Sequence, residues 1–433
     1  MTRRFIVPLL LVLGSASPLS AQQKVVTLAE ALRLSERVQP SVVRAAAGVR
    51  TAGAQRRSAW GSFLPSLSAN SSANEFYSEG APRLDPVTGQ ITGGNTTNRS
   101  LSTGLSASVD LFTGFRRGAE LRAARAGETA AEAGFIDARF QQALTTTSQF
   151  LDALAAAQLL RVRESSVRRA EEQLKVSVAK LRTGSATRSD SLRSLVTLGS
   201  ARLDQLTTET DLAAAEANLA RLIGETGRVK AADDSAFYAV VPALDAQALR
   251  MEAESKSPRV QSAVANAAAA RANVSASRST YWPSLALSGS TNWSGSETND
   301  YDLLNQSQLS LGLRWNLFDR FDRELSIAQR EADRDVAEAD AADIRHAVAA
   351  DLELRLAELA AAGTRIEITQ TSVVAAREDL RVQQERYRLG ISTIVDVLTS
   401  QEALDQAEVD VVNARFDYLR AKAQLEALIG RKL

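Results

Sequence analysis

Four short motifs occur twice in this chain at nearly constant spacing. Asp110-Leu111-Phe112 returns as Asn316-Leu317-Phe318, 206 positions later. Lys180-Leu181-Arg182-Thr183-Gly184 returns as Arg386-Tyr387-Arg388-Leu389-Gly390, and Leu222-Ile223-Gly224 as Leu428-Ile429-Gly430, both again at 206. Leu64-Pro65-Ser66-Leu67 returns as Trp282-Pro283-Ser284-Leu285, at 218. A fixed offset over such distances marks a duplicated unit, so the fold must be one that two copies of a single motif can build. The larger first offset means that copy one carries about twelve extra residues there. Residues 78–99, rich in Gly, Pro, Asn and Thr, read as the loop that holds them.

The unit itself mixes two periodicities. Leu101, Thr103, Leu105, Ala107, Val109 and Leu111 alternate with Ser102, Gly104, Ser106, Ser108 and Asp110. That period of two is a strand with one apolar and one polar face, over about 101–112. The stretch 306–318 repeats it, with Leu309, Leu311, Leu313, Trp315 and Leu317 against Ser310, Gly312, Arg314 and Asn316. Residues 283–293 alternate Leu285, Leu287, Gly289, Thr291 and Trp293 with small polar side chains, and 64–77 give a weaker strand of Ser, Ala and Asn. The strands at 101–112 and 306–318 run straight into long Ala-rich, charged segments. Prolines stand only at 8, 18, 40, 65, 82, 86, 242, 258 and 283. An interior proline costs a helix about 3 kcal/mol, so their absence from 87–241 and 284–433 predicts helix over most of both stretches. The expected helices are a short one after the Thr27 cap, with Glu30 three later, then 40–63, 115–182, 187–223, 258–280, 320–388 and 393–429. Gly184 follows a long helix at the position where a left-handed residue is favoured. The domain plan is a first repeat over 22–223, a polar connection over 224–257, and a second repeat over 258–433.

Lengths give the assembly. A helix over 115–182 spans about 100 Å, and the two shorter helices of that repeat, end to end, about 90 Å. Each repeat is therefore expected to be a two-layered helical rod with a strand pair at one end. The last helix carries a heptad row at Val397, Leu404, Val411, Tyr418 and Leu425, with Ser400, Ala407, Ala414, Ala421 and Leu428 beside it. Small residues along one row let helices approach closely.

Composition removes several chemistries. There is no Cys and a single His, His346, which reads as a surface or seam residue. Disulfides, thiol nucleophiles, Cys or His metal clusters and His-based triads are thereby unavailable, and no phosphate loop or nucleophile–base pair appears. The chain does not read as an enzyme, and no cofactor is expected. Formal net charge is zero, which gives no basis for a nucleic-acid partner. Arg3 and Arg4, the apolar run Phe5–Leu13 and the small residues before Ala21 read as an export signal over 1–21, cleaved after Ala21. No later apolar run is long enough for a membrane helix, whereas amphipathic strands leave only a weak hydropathy signal. Four strands do not close a barrel, for which about eight are needed. Open hairpins with leucine rows are aggregation liabilities in water. Several chains pooling their strands in a membrane resolve both problems, with leucines toward lipid and Ser, Gly, Asn and Arg toward a wet lumen. Aromatics cluster near the strand ends, where either an interfacial girdle or packing at the strand–helix junction accounts for them.

With these features the sequence resembles the TolC family of outer-membrane channel proteins, from Thr27 to Gly430. The most specific match is the run Tyr387-Arg388-Leu389-Gly390-Ile391-Ser392-Thr393-Ile394-Val395-Asp396-Val397-Leu398, similar to the family's turn between its last two long helices. Its first-repeat counterpart is the run from Leu181 to Asp190. The resemblance implies a mostly α fold with a small antiparallel β part, built from two tandem helix–β-hairpin–helix repeats. Three chains form a 12-stranded outer-membrane β-barrel continuous with a long periplasmic α-helical coiled-coil barrel. It implies a homotrimer in outer-membrane lipid that serves an inner-membrane pump of RND or ABC type through a periplasmic adaptor protein. It also implies a gate at the helix-hairpin tips. There Asp396 lines the constriction, and Tyr387 and Asp190 hold coils together. Two departures stand out: Ser392 replaces an Arg of a well-studied subset, and Thr399 replaces a second Asp. Thr187-x-x-Asp190 and Thr393-x-x-Asp396 equally fit helix capping, and capping and pore lining are compatible. If three Asp396 carboxylates converge, their repulsion raises their pKa. Arg182, Gly184, Arg388 and Gly390 form the tip turns. The cations among them, with Lys180, Arg188 and Arg386, fit either adaptor contact or simple solvation near helix ends.

The leading functional reading is a passive exit duct for small molecules. Protein export in a type I secretion system is an alternative within the fold, and a pore-less periplasmic coiled-coil tether is one outside it.

Overall fold

A computed structural model describes residues 23–84, 86–89, 91–92, 96–234, 245–297 and 300–433. The expected export signal at 1–21 lies outside these residues. In chain order the elements are β1 (Lys24–Val26), α1 (Leu28–Val38), α2 (Pro40–Gly61), β2 (Ser66–Ser78), β3 (Arg83–Leu84), β4 (Ile91–Thr92), β5 (Thr96–Phe112), α3 (Arg116–Arg182), α4 (Arg188–Ile223), β6 (Val229–Ala231), α5 (Ala246–Lys256), α6 (Pro258–Ser277), β7 (Ser284–Ser296), β8 (Leu304–Arg314), α7 (Asp322–Arg388) and α8 (Ile394–Ile429). The helices fall close to where proline absence and capping signals put them. Among the described residues no helix is long and apolar enough to cross a membrane.

The chain groups into two compact units, each drawn from both repeats. One holds the segments up to Gln39, Thr145–Val240 and Ala360–Ala423, and the other holds Pro40–Leu144, Val241–Leu359 and Gln424–Leu433. The first unit contains the larger apolar core. Phe150, Leu151 and Leu154 of α3 meet Leu219 and Ile223 of α4, and Val412, Phe416 and Leu419 of α8. Val26, Ala31 and Val229 close it. The connection expected to be simply polar contributes β6, which pairs in parallel with β1, Val26 opposite Ala231, and α5. Residues 235–244 of that connection lie outside the described residues. Along α8 Val397, Leu404 and Leu425 of the heptad row are buried, as are Ser400, Ala407, Ala414 and Ala421 beside it, whereas Val411 and Tyr418 are half-buried and Val412, Phe416 and Leu419 are buried next to them. An α-helix turns every 3.6 residues, so a strict seven-residue row drifts off the buried face unless the helix supercoils to follow it.

The second unit carries the sheet. β2 and β5, and β7 and β8, form two antiparallel hairpins, and β5 pairs with β7 to give the order β2-β5-β7-β8. β5 starts at Thr96, earlier than expected, because Ser78↔Thr96 completes its ladder with β2. The 78–99 loop also holds the two-residue pairing β3·β4. The strand expected over 306–318 ends at Arg314. Its partner β7 begins at Ser284, opposite Arg314, so nothing remains for 315–318 to pair with. The side groups there are engaged otherwise: Trp315 Nε1 donates to the Tyr281 carbonyl at 3.2 Å, and the carbonyls of Asn316 and Leu317 accept from Arg323.

The second strand of each hairpin, β5 and β8, becomes a helix through the same turn. Gly114 and Phe115 have φ of +60° and +66°, and Arg320 and Phe321 have +60° and +67°. Two successive left-handed residues swing the chain out of the ladder. An arginine then locks the turn. Arg117 lies 4.9 Å over the Phe63 ring and donates to the Ser62 and Leu111 carbonyls. Arg323 lies 4.8 Å over the Tyr281 ring and donates to Asn316 and Leu317. Phe112, Phe115 and Trp282 stack edge to face beside the first turn, and Phe318 and Phe321 beside the second. Of the two accounts given for the aromatics at the strand ends, ring packing is present, and Trp282, Trp315 and Phe318 remain exposed.

Candidate functional site

The helix-hairpin tips, all within the first unit, hold the residues singled out from sequence. Each tip is built from the same two devices. Gly184 and Gly390 adopt φ of +73° and +78°, a conformation that costs glycine nothing. Gly184 N–H then reaches the Leu181 carbonyl and Ser185 N–H the Lys180 carbonyl, at 3.0 and 2.8 Å. Gly390 and Ile391 do the same to Tyr387 and Arg386, at 3.1 and 2.9 Å. This pair of bonds terminates α3 and α7 and satisfies their last carbonyls. The next helix starts with a reciprocal cap. Thr187 Oγ1 accepts from Asp190 N–H at 3.2 Å while Thr187 N–H donates to Asp190 Oδ2 at 2.9 Å. Thr393 and Asp396 repeat this at 3.3 and 2.8 Å.

The second tip carries more. Asp396 Oδ2 also accepts from the hydroxyls of Thr393, at 2.8 Å, and Ser392, at 3.0 Å. Ser392 Oγ also lies 3.1 Å from Gln383 Oε1 near the end of α7, a second acceptor within reach of the same proton. The Thr393 backbone N–H, then the Thr393 and Ser392 hydroxyls, hold the Asp396 carboxyl below the usual carboxylate range. Within one chain, therefore, hydrogen bonding lowers this pKa, opposite in direction to the repulsion expected among three converging carboxylates.

Tyr387 is buried at 6% exposure, and burial pushes its hydroxyl pKa up. Among the described residues the hydroxyl has no partner in full hydrogen-bond geometry, although Ser177 stands near enough to offset part of that rise. Asp190, expected with Tyr387 to hold coils together and equally to cap its helix, accepts from the Thr187 N–H through one carboxylate oxygen and lies near enough to Tyr387 to raise its pKa. At the tips Lys180 joins the two hairpins. Its Nζ donates to the Tyr387 carbonyl and sits 4.3 Å from the centre of the Tyr387 ring. Sequence reading placed Lys180 only among the tip cations. Its offset partner Arg386 carried no hint that the two tips touch. Around Tyr387, Leu380, Ile394, Val397 and Leu404 form a small apolar cluster. Arg182, Arg388, Leu389 and Ile391 point outward at the turns, with Arg388 3.3 Å from Glu385. Thr399 and Asp396 are exposed on α8.

Farther along the first unit, charge ties three helices together. Arg169 of α3 lies 2.8 Å from Glu408 of α8 and also pairs with Asp405, and Arg377 of α7 lies 3.4 Å from Glu408. Small buried hydroxyls do the same nearer the tips. Ser177 and Ser194 meet at 2.8 Å between α3 and α4, and Ser400 meets Asp379 between α8 and α7. Ser400 was legible as a small member of the heptad row, whereas its hydrogen-bonding role was not. Among the described residues no cluster of His, Asp or Glu is arranged to hold a metal, and His346 is exposed on α7.

Known proteins share this plan. A family model described as outer membrane efflux protein matches residues 31–225 and 249–431. The pyoverdine export outer membrane protein OpmQ of Pseudomonas aeruginosa is 26% identical over 393 residues, 89% of this chain and 81% of that protein. Among solved structures, CusC superposes with a TM-score of 0.78 at 18% identity, covering 93% of this chain and 92% of its own. The outer membrane protein VceC of Vibrio cholerae gives 0.75 at 17% identity, covering 94% and 96%. At these identities the two structures speak for the fold.

Proposed function

Because this chain belongs to the outer membrane efflux protein family, we propose that three copies close their strands into one twelve-stranded barrel and that the helix-hairpin tips gate the tunnel behind it. The chain is the outer-membrane exit duct of an efflux system, with a periplasmic portion. The observation that carries the trimer is the sheet. One face is a hydroxyl and amide surface: Ser66, Ser108, Ser288 and Ser310 stand in one row across all four strands, and Ser68, Ser106, Ser290 and Gln308 in the next. The other face exposes Leu67 (78%), Leu309 (76%) and Leu313 (72%). Burying each such leucine in lipid is worth about 2 kcal/mol. Four strands cannot close on themselves, and in a bilayer every strand edge must be paired, so further copies must supply the partners.

The cargo class we favour is small molecules, driven by an inner-membrane pump of RND or ABC type and handed over by a periplasmic adaptor. Asp396 lines the tunnel at the tips, with Ser392 and Thr393 fixing its carboxylate. Lys180 and Tyr387 hold the two hairpins of a chain together. Arg182 and Arg388, carried on the Gly184 and Gly390 turns, face the adaptor. Purified protein in a planar bilayer tests the gate. Asp396→Ala is expected to weaken block by divalent cations, and Lys180→Met to raise the time spent open. Unchanged conductance and block in both variants would remove the tips from the gating role.

A further inference from the structure

The repeat also fixes how one copy of this chain meets the next, an inference that rests on the trimeric reading. The first hairpin pairs Ser66 with Ser108, and the second pairs Ser284 with Arg314. Adding the sequence offsets of 218 and 206 to the first pair gives the second. The two hairpins therefore share one register, residue for residue. Between them, β5 pairs with β7 through Thr103↔Trp293, Gly104↔Asn292, Leu105↔Thr291 and Ser106↔Ser290. The same offsets carry β5 onto β8 and β7 onto β2. Those are the two strands at the open edges of the sheet.

We infer that β8 of one copy pairs antiparallel with β2 of the next in the register of the internal β5·β7 contact, placing Ser310 opposite Asn74. Leu309 then faces Glu75, Leu311 faces Ala73, and Gly312 faces Ser72. The pairing keeps both faces intact. Ser310 and Gly312 meet Asn74 and Ser72 on the hydroxyl side, and Leu311 meets Ala73 on the lipid side. Glu75 is already neutralised within its own hairpin by Arg99 at 3.2 Å, so its place beside Leu309 leaves no lone charge in the wall. A slip of one residue would turn the leucine row of β8 into the lumen. A slip of two would keep the faces but break the equivalence of the two repeats.

The copy holds along the strands and relaxes at the turn. Gly114 packs so closely on Trp282 that an added Cβ would lie 2.4 Å from the Trp282 Cβ. At the seam the offsets replace Gly114 by Arg320 and Trp282 by Leu64. Arg320 has a Cβ, so the next copy's Leu64 must stand farther off than Trp282 does.

The absence of cysteine makes a disulfide scan clean. Opposed antiparallel residues lie about 4.5–5.5 Å apart at Cα, within disulfide reach. Full-length Asn74→Cys/Ser310→Cys protein, extracted in detergent and mildly oxidised, is expected to run as a covalent trimer under non-reducing conditions. Each single variant is expected to run as separate chains. Pairing Ser310→Cys with Ser72→Cys or Phe76→Cys is expected to crosslink far less, with native sizing under reducing conditions showing every variant assembled. A trimer whose crosslinking peaks in a slipped pair would overturn this register while leaving the channel reading intact. Cysteine-free protein that sizes as a monomer would overturn the trimer itself.

Discussion

The first and second strand-to-helix junctions follow one backbone path with different residues. Gly114 and Arg320 share a φ of +60°, yet only the glycine is sterically required. A Cβ at 114 would meet Trp282 at 2.4 Å and the Ser279 carbonyl at 2.9 Å. Arg320 pays the left-handed strain of about 1–2 kcal/mol without that collision. The shared parts are the phenylalanine after it and the arginine two further on, which folds back under an aromatic ring. The turn is therefore specified by Phe115/Arg117 and Phe321/Arg323, and the residue before them is free to follow its neighbours.

That contrast is best broken at its centre. Gly114→Val is expected to cost 3 kcal/mol or more, roughly, because overpacking adds to backbone strain. Arg320→Gly is expected to stay within about 1 kcal/mol of the parent and on the stabilising side. Thermal unfolding of the detergent-extracted protein, followed by circular dichroism, reads both. Equal losses at the two positions would mean that the turns differ in more than Trp282. Next in size, Arg117→Met and Arg323→Met each remove a cation–π contact and two bonds to carbonyls, about 2 kcal/mol. The Arg323 change is expected to be the larger. Its guanidinium lies 2.8 Å from Asp319, both side chains are mostly buried, and the substitution strands the carboxylate. Arg117 has no such acid at the matching position, where Thr113 stands.

The junctions also show what sequence makes visible. Alternation at 309–317 continues through Trp315 and Leu317, so a periodicity argument extends the strand. The ladder stops at Arg314 because β7 offers no residue beyond Ser284. Alternation reports which face a residue takes and says nothing about whether a partner strand is there. The three-residue strands β1 and β6 have no period to detect at all. The long helices were legible because proline absence and terminal glycines are local facts, and Thr-x-x-Asp predicts its own cap within one turn. The Lys180–Tyr387 contact joins positions 207 residues apart. Only packing of α3 beside α7 creates it, and no local pattern encodes that. The shift of burial from Val411 to Val412 and Phe416 in α8 is of the same kind, since it depends on how the helix winds around its neighbours.

The tips sharpen the comparison at its smallest scale. Both have the glycine stop and the threonine–aspartate cap, but only Asp396 gains hydroxyl donors from Thr393 and Ser392. Its carboxyl is held below the usual range by these bonds. A group whose folded pKa is depressed stabilises the fold above its unfolded value, near 4. That contribution disappears as pH falls through the lower folded value. Hydrogen exchange of the 386–396 segment should therefore stay slow at neutral pH and quicken, relative to an Asp396→Asn variant, only in acid. Asp190→Ala should loosen the first tip by about 1 kcal/mol, the worth of an ordinary cap. Ser392→Ala is the finest probe. Removing one donor should let the Asp396 pKa rise toward its ordinary value, so that the segment is less protected than in the parent at pH 7 and the difference closes in acid, where both carboxyls are protonated. If the pH response of the Ser392→Ala protein overlays the parent's, the Ser392 hydroxyl does not hold the carboxylate, and the Thr393 hydroxyl alone distinguishes the second tip from the first.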